Sequence, residues 1–153
     1  MHRYTATVAW TRQDEKFVDN KYARAHEWRF DGGVVVRASS SPQVVRPPYS
    51  AEDAVDPEEA LIASASSCHM LWFLSLAARQ GFVVDSYVDE AIGEEGKNER
   101  GKPMFIRIVL RPKITFFGEK VPTAEELEHL HHQAHEECFI ANSLRAEIVV
   151  EAT

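Results

Sequence analysis

The stretch opening at Asp56-Pro57-Glu58-Glu59 constrains this chain most, because no helix breaker follows it until Gly81. Asp56 can cap a helix, Pro57 suits the first helical position, and Glu59 completes a capping box. Gly81 supplies the residue that ends a helix in the left-handed region. These signals predict a helix of about 24 residues, roughly 36 Å long. Its first half, "ALIASASSC", is built of small residues. From Met70 to Ala78 it is apolar on nearly every side, which predicts a buried central helix. The run "MLWFLSLAA" is far shorter than a bilayer crossing needs, so no membrane partner is expected.

Around this helix the pattern is that of strands. "YTATVAW" at residues 4–10 alternates, and "HEWRF" and "VVVRAS" flank "DGG", a hairpin signal. "SPQVVRPPYSAEDAV" has three prolines and no period and reads as an ordered surface loop. "FVVDSYVDEAIG" and "MFIRIVLRPKITFFG" read as two strands around the turn "EEGKNERGKP". Thr123 to Glu126 forms a second capping box, opening a helix expected to run to about Asn142, and "LRAEIVVE" closes the chain as a strand. The predicted order is βββ-α-ββ-α-β, an α+β protein with no repeats and no linker.

The 153 residues are expected to form one domain, 1–153, large enough to bury a real core. A net charge of −7 and the lack of a Lys/Arg cluster argue against nucleic acid as a partner. "MHRYTATVAW" has no apolar segment behind a basic end, so no signal peptide is expected. Two cysteines are too few for a disulfide scaffold, which points to a reducing cytoplasm where a thiol is kept for chemistry or for packing.

A reactive cysteine must be held as thiolate by a positive neighbour or a helix N-terminus. Cys68 lies about 18 Å along the axis from its cap, beyond the reach of the helix dipole. His69 is adjacent in sequence but on a different face. Activation of Cys68 therefore requires a charge from outside the helix, and arginine is the obvious supplier. Glu58, roughly 15 Å from Cys68 on one helix, cannot share its site within one chain. An antiparallel crossing of two copies of the helix near Ala63 would place Glu58 of one chain beside Cys68 of the other. Small side chains permit so close a crossing. A homodimer with sites shared between chains is the expectation, and the opposing reading is a helix packed on a sheet with cysteines as small buried hydrophobes.

"DPEEALIASASSCHMLWFLSLAARQGF" resembles the signature helix of the OsmC/Ohr family, with a Pro-Glu pair about ten residues before the reactive cysteine. "ECFIANSLRAEIVVE" resembles that family's second-cysteine segment. The resemblance covers nearly the whole chain and implies an OsmC-like fold in an intertwined homodimer. It also implies a thiol peroxidase that reduces organic hydroperoxides and is restored by a dithiol such as a lipoyl group, with no cofactor. Carried over, Cys68 is the peroxidatic cysteine, Cys138 the resolving one and Glu58 the glutamate. Arg24 in "KYARAHEW" is the nearest match to the family's arginine, with Arg29, Arg37 and Arg46 as alternatives; Arg29 and Arg37 read better as solvated surface charges. Phe139 stands where the family often has proline. The chemistry agrees: O–O cleavage needs a thiolate and a cation for the leaving alkoxide, and a sulfenic acid is safest beside a second thiol. Glu58 can hold a guanidinium bidentately.

"HLHHQAHEEC" places His131, His135 and Cys138 at spacings that share a helix face and could bind a soft divalent metal. Exposed polar histidines are the commoner outcome of such a pattern, and no metal is assigned. His69 and His26 read as packing or surface residues. Trp72 and Phe139 are candidates to line an apolar approach. The alternative to a peroxidase is a non-catalytic redox-sensing, metal-binding or small-molecule-binding member of the same fold.

Overall fold

A computed structural model describes residues 1–151 of the chain. The chain divides into two compact units, Met1–Ala60 and Leu61–Thr153, and the first helix runs across the boundary. The first unit is an antiparallel sheet of β1 (Thr7–Ala9), β2 (His26–Arg29) and β3 (Val35–Ala38), in that order. The hairpin predicted around "DGG" joins β2 to β3, and Gly33 takes the positive φ of +92° that its turn demands. The loop that follows returns to the sheet edge, where Ala38 bridges Val55.

Helix α1 (Pro57–Arg79) begins as the sequence dictates. The Glu59 amide donates to Asp56 Oδ1 at 2.8 Å, and the Asp56 amide donates to Glu59 Oε1 at 2.9 Å. Such reciprocal capping satisfies two donors the helix leaves orphaned. The other end is closed by Gly81 at φ +80°.

In the second unit α1 buries one stripe only: Ala65, His69, Phe73 and Ala77, spaced every four residues. Ala63, Ser67 and Leu71 are exposed, so the expected all-round burial of this helix is corrected to one buried face. By length and composition alone α1 could cross a bilayer, a test that core helices also pass. Its stripe packs on two apolar clusters. Ala65 joins Ile108 and Leu110, while Phe73 and Ala77 join Phe82, Leu130 and Ala134. Each large side chain so buried contributes about 1.5–3 kcal/mol. His69 is the polar residue of the stripe, between its two apolar ends.

The two strands predicted after α1 are four. They are β4 (Val83–Asp89), β5 (Ile92–Lys97), β6 (Pro103–Leu110) and β7 (Pro112–Phe117). The ribbon breaks where the Arg111 amide donates to Asp89 Oδ1 at 2.6 Å, just before Pro112. Beyond this point the partners change: β4 pairs with β7, and β5 pairs with β6. The final strand, β8 (Glu147–Val150), adds to β6 in parallel. Strand β5 also takes up part of the predicted turn. At Gly93 an added Cβ would lie 2.5 Å from Ile62 Cδ1 and 2.7 Å from Phe105 Cε1, so only glycine lets α1 approach β5 this closely.

The second predicted helix is two. Helix α2 (Ala124–Glu137) opens with the full Thr123–Glu126 capping box and ends at Cys138, whose φ and ψ of −66° and 111° are extended. A short helix, α3 (Phe139–Ser143), then starts with Cys138 as its N-cap. Cys138 is thus the joint between two helices.

Candidate active site

Cys68 and Cys138 are brought together. Cys68 is on α1, part-exposed, one position before the buried stripe. Cys138 is 1% exposed and serves as the cap at the α2–α3 joint, its Sγ accepting the Ala141 N–H at 3.4 Å. The two thiols lie close enough to influence each other's titration, and both cysteines are free. Burial first, and then the neighbouring Cys68 thiol, push the Cys138 thiol up to about 11. Cys138 is therefore a protonated thiol at neutral pH.

Immediately beside this pair lies a second contact of the same two helices. His69 Nε2 meets His131 Nδ1 at 3.0 Å, with the rings nearly parallel at 10°. His131 also stacks on Phe73 at 4.5 Å between centroids. Both histidines are buried, and both are pushed down to about 4, chiefly by burial. Charge on His131 and His135 lowers His69 further, while Asp89 opposes the shift of His131. The pair is neutral at physiological pH. His69 Nδ1 and His135 Nδ1 are buried without a hydrogen-bond partner. Among the described residues no group of three His, Cys, Asp or Glu side chains is placed to hold a metal. The face proposed for His131, His135 and Cys138 is divided between two contacts: His131 turns to His69 and Cys138 to Cys68.

Arg24 belongs to the first unit, where its guanidinium donates to Tyr22 O at 2.6 Å and to Asn20 O and Oδ1 at 3.0 and 2.8 Å. It lies 4.0 Å over the Tyr22 ring. Its backbone is fixed as well. The Arg24 amide donates to Tyr49 O, and its carbonyl accepts from His26 Nδ1 at 2.7 Å. Trp28 Nε1 donates to His26 Nε2 at 3.1 Å. An indole N–H can only donate, so Nε2 accepts and the His26 proton sits on Nδ1. Every acceptor that Arg24 meets is neutral, and its charge has no ion pair among the described residues.

Glu58 is in the first turn of α1, exposed, with no ion pair among the described residues. Arg29 pairs with Glu27 and Arg37 with Asp53, both as exposed surface ion pairs. Arg46 is exposed. Trp72 packs against the Phe73–Leu130 cluster and so belongs to the core; Phe139 is 66% exposed at the start of α3. A groove of about 1070 Å³ along α2, lined by residues such as Glu125, His129, His132 and Ile148, contains neither cysteine.

Sequence reasoning missed the pairing of His69 with His131 and the clamp on Arg24. The first was signalled by His69 standing at i+4 from Ala65 and i−4 from Phe73, a core register. The second left only a weak trace, Asn20, the one non-glycine residue with positive φ (63°) among those described.

A model of OsmC-like proteins matches residues 50–153. The chain belongs to the OsmC-like family. An OsmC-like protein of unknown function from Vibrio cholerae is 52% identical over the whole of both chains, with a TM-score of 0.98. The fold is shared with an organic hydroperoxide resistance protein from Elizabethkingia anophelis. That structure is 19% identical over 100% of this chain and 95% of its own, with a TM-score of 0.71. It is also shared with the organic hydroperoxide resistance protein OhrB of Bacillus subtilis, 20% identical over 98% of each chain, with a TM-score of 0.65. No curated protein matches the chain. This OsmC-like protein carries one cysteine on α1 and the other at the α2–α3 joint.

Proposed function

We propose that this protein is a thiol peroxidase that reduces organic hydroperoxides, with Cys68 as the peroxidatic and Cys138 as the resolving cysteine. The observation that carries the reading is the juxtaposition of the two thiols. A part-exposed Cys68 lies beside a buried Cys138 that keeps its own proton. The Cys68 thiolate attacks the peroxide, forming an S–O bond as the O–O bond breaks. Sulfur is oxidised to sulfenic acid, the peroxide is reduced, and the departing alkoxide takes a proton to become an alcohol. The Cys138 sulfur then attacks the sulfenic sulfur; the S–S bond forms, the S–O bond breaks, and the Cys138 proton leaves with the hydroxide as water.

Arg24 supplies the cation for the alkoxide and Glu58 orients it, through a homodimer in which sites are shared between chains. The exposed face of α1 at Ala63, Ser67 and Leu71 supports this assembly, as does the unpaired state of both Arg24 and Glu58. A dithiol, of the lipoyl type, returns the disulfide to two thiols, and the two free thiols suit a reducing cytoplasm. The test is peroxide consumption with dihydrolipoamide as the electron donor. Wild type is expected to turn over and Cys68→Ser to stop; turnover that persists in Cys68→Ser excludes the reading.

A further inference from the structure

Successive residues of α1 face the end of α2: Cys68 lies beside Cys138, and His69 Nε2 meets His131 Nδ1 at 3.0 Å. From the other side, His131 and Cys138 are seven positions apart, about two turns, and so lie on nearly the same face of α2. The histidine contact is a single directional bond between two buried rings, with Phe73 packed against one of them. We infer that the His69–His131 hydrogen bond is a positioning element for the cysteine pair: it fixes α1 against the end of α2 and so sets how readily Cys138 closes on Cys68. The inference deepens the peroxidase reading and rests on it for its biological meaning.

The physical need is clear. A disulfide forms only with the sulfurs about 2.05 Å apart and with a narrow torsional range, so small errors in helix placement are costly. Cys138 cannot adjust freely, because it caps α3 and its sulfur accepts the Ala141 N–H. Placement must then come from the helices themselves, and the histidine bond is the polar link adjacent to the thiols. The groups facing this link are few. They are His135 from α2 and Asp89 from β4, the latter already accepting from Ser66 Oγ and the Arg111 amide. Because His69 Nδ1 has no partner, the arrangement that avoids an orphaned buried N–H has His69 Nε2–H donating to His131 Nδ1. The two steps of the reaction should therefore respond differently. Oxidation of Cys68 to the sulfenic acid needs no movement of Cys138; its resolution by Cys138 does.

The experiment compares wild type with His131→Phe, which removes the acceptor, and His131→Asn, which restores a polar atom near the Nδ1 position. A double variant, His69→Phe with His131→Phe, removes both partners and leaves no orphan, so it keeps the comparison alive if the single variant does not fold. With an alkyl hydroperoxide, rapid quenching and mass spectrometry follow the sulfenic acid, the disulfide and the over-oxidised sulfinic acid. The expected result is an unchanged rate of sulfenic acid formation, disulfide formation slowed by about tenfold or more in the Phe variants, more sulfinic acid, and rescue by Asn. The disulfide–dithiol equilibrium of each variant against dithiothreitol reads the same geometry without peroxide. It should shift by about tenfold towards the dithiol in the Phe variants. Phe variants that resolve and equilibrate like wild type overturn the inference. A wild type that never forms sulfenic acid overturns the peroxidase reading instead, while the dithiothreitol equilibrium still decides the positioning role.

Discussion

The buried Cys138 thiol lies beside Cys68 while its sulfur accepts the amide N–H of Ala141. One residue thus ends α2 with its backbone N–H and starts α3 with its sulfur, beside the thiol of α1. A chain that used Cys138 only as a small hydrophobe would have no reason to place it at a helix joint facing a second sulfur.

The state of Cys138 predicts selective labelling. With its thiol pushed up to about 11 and its side chain 1% exposed, Cys138 should resist alkylation in the reduced native protein at neutral pH. Iodoacetamide followed by peptide mass mapping is expected to modify Cys68 first. Equal modification of both cysteines in the folded protein would contradict this assignment.

The histidine pair predicts a pH dependence of stability. Both rings fall from 6.5 to about 4 in the folded chain, so between these values the unfolded chain binds more protons than the native one. Stability is complete above about pH 6.5, is lost as the pH falls towards 4, and levels off below that, where the native pair also takes up protons. Each pKa unit is worth about 1.4 kcal/mol per group. Urea unfolding across this range is expected to show the fall in wild type and a much flatter profile in the His69→Phe, His131→Phe double variant.

Much of this was legible before the fold was known. The two capping boxes, the "DGG" hairpin and Gly81 act through local chemistry, which a sequence displays directly. The breaks at Asp89–Pro112 and at Cys138 were not legible. One depends on a carboxylate meeting an amide 22 residues away, the other on a sulfur replacing the usual oxygen of a helix cap. The pairing of Cys68 with Cys138 came from family likeness, since nothing in periodicity relates two positions on different helices. The His69–His131 bond was hidden for the same reason, although the register of His69 placed it in the core stripe.

The clamp on Arg24 predicts graded losses of activity. Arg24→Ala should lower peroxide reduction by about 10²-fold or more, the scale of removing a charge that stabilises a developing anion. Trp28→Phe, which removes only the donor to His26, should cost much less and leave the protein folded. Rates for Arg24→Ala equal to wild type would move the role to another cation.

Packing predicts where the second unit is most fragile. Phe73 is fully buried between Ala77, Leu130 and the His131 ring, so Phe73→Ala should cost about 3–5 kcal/mol. Thr123→Ala removes half of the α2 capping box and should cost about 1 kcal/mol. Denaturant midpoints at neutral pH give both values.

The central claim is that Cys68 and Cys138 form one redox couple driven by organic hydroperoxide. Its most direct test is the reduced protein treated with one equivalent of an alkyl hydroperoxide, then digested without reductant and mapped by mass spectrometry. The predicted product is a Cys68–Cys138 disulfide, with the loss of two hydrogens. Cys138→Ser should instead stop at an oxidised Cys68, and Cys68→Ser should not react. Two free thiols remaining in the wild type after that treatment would contradict the account.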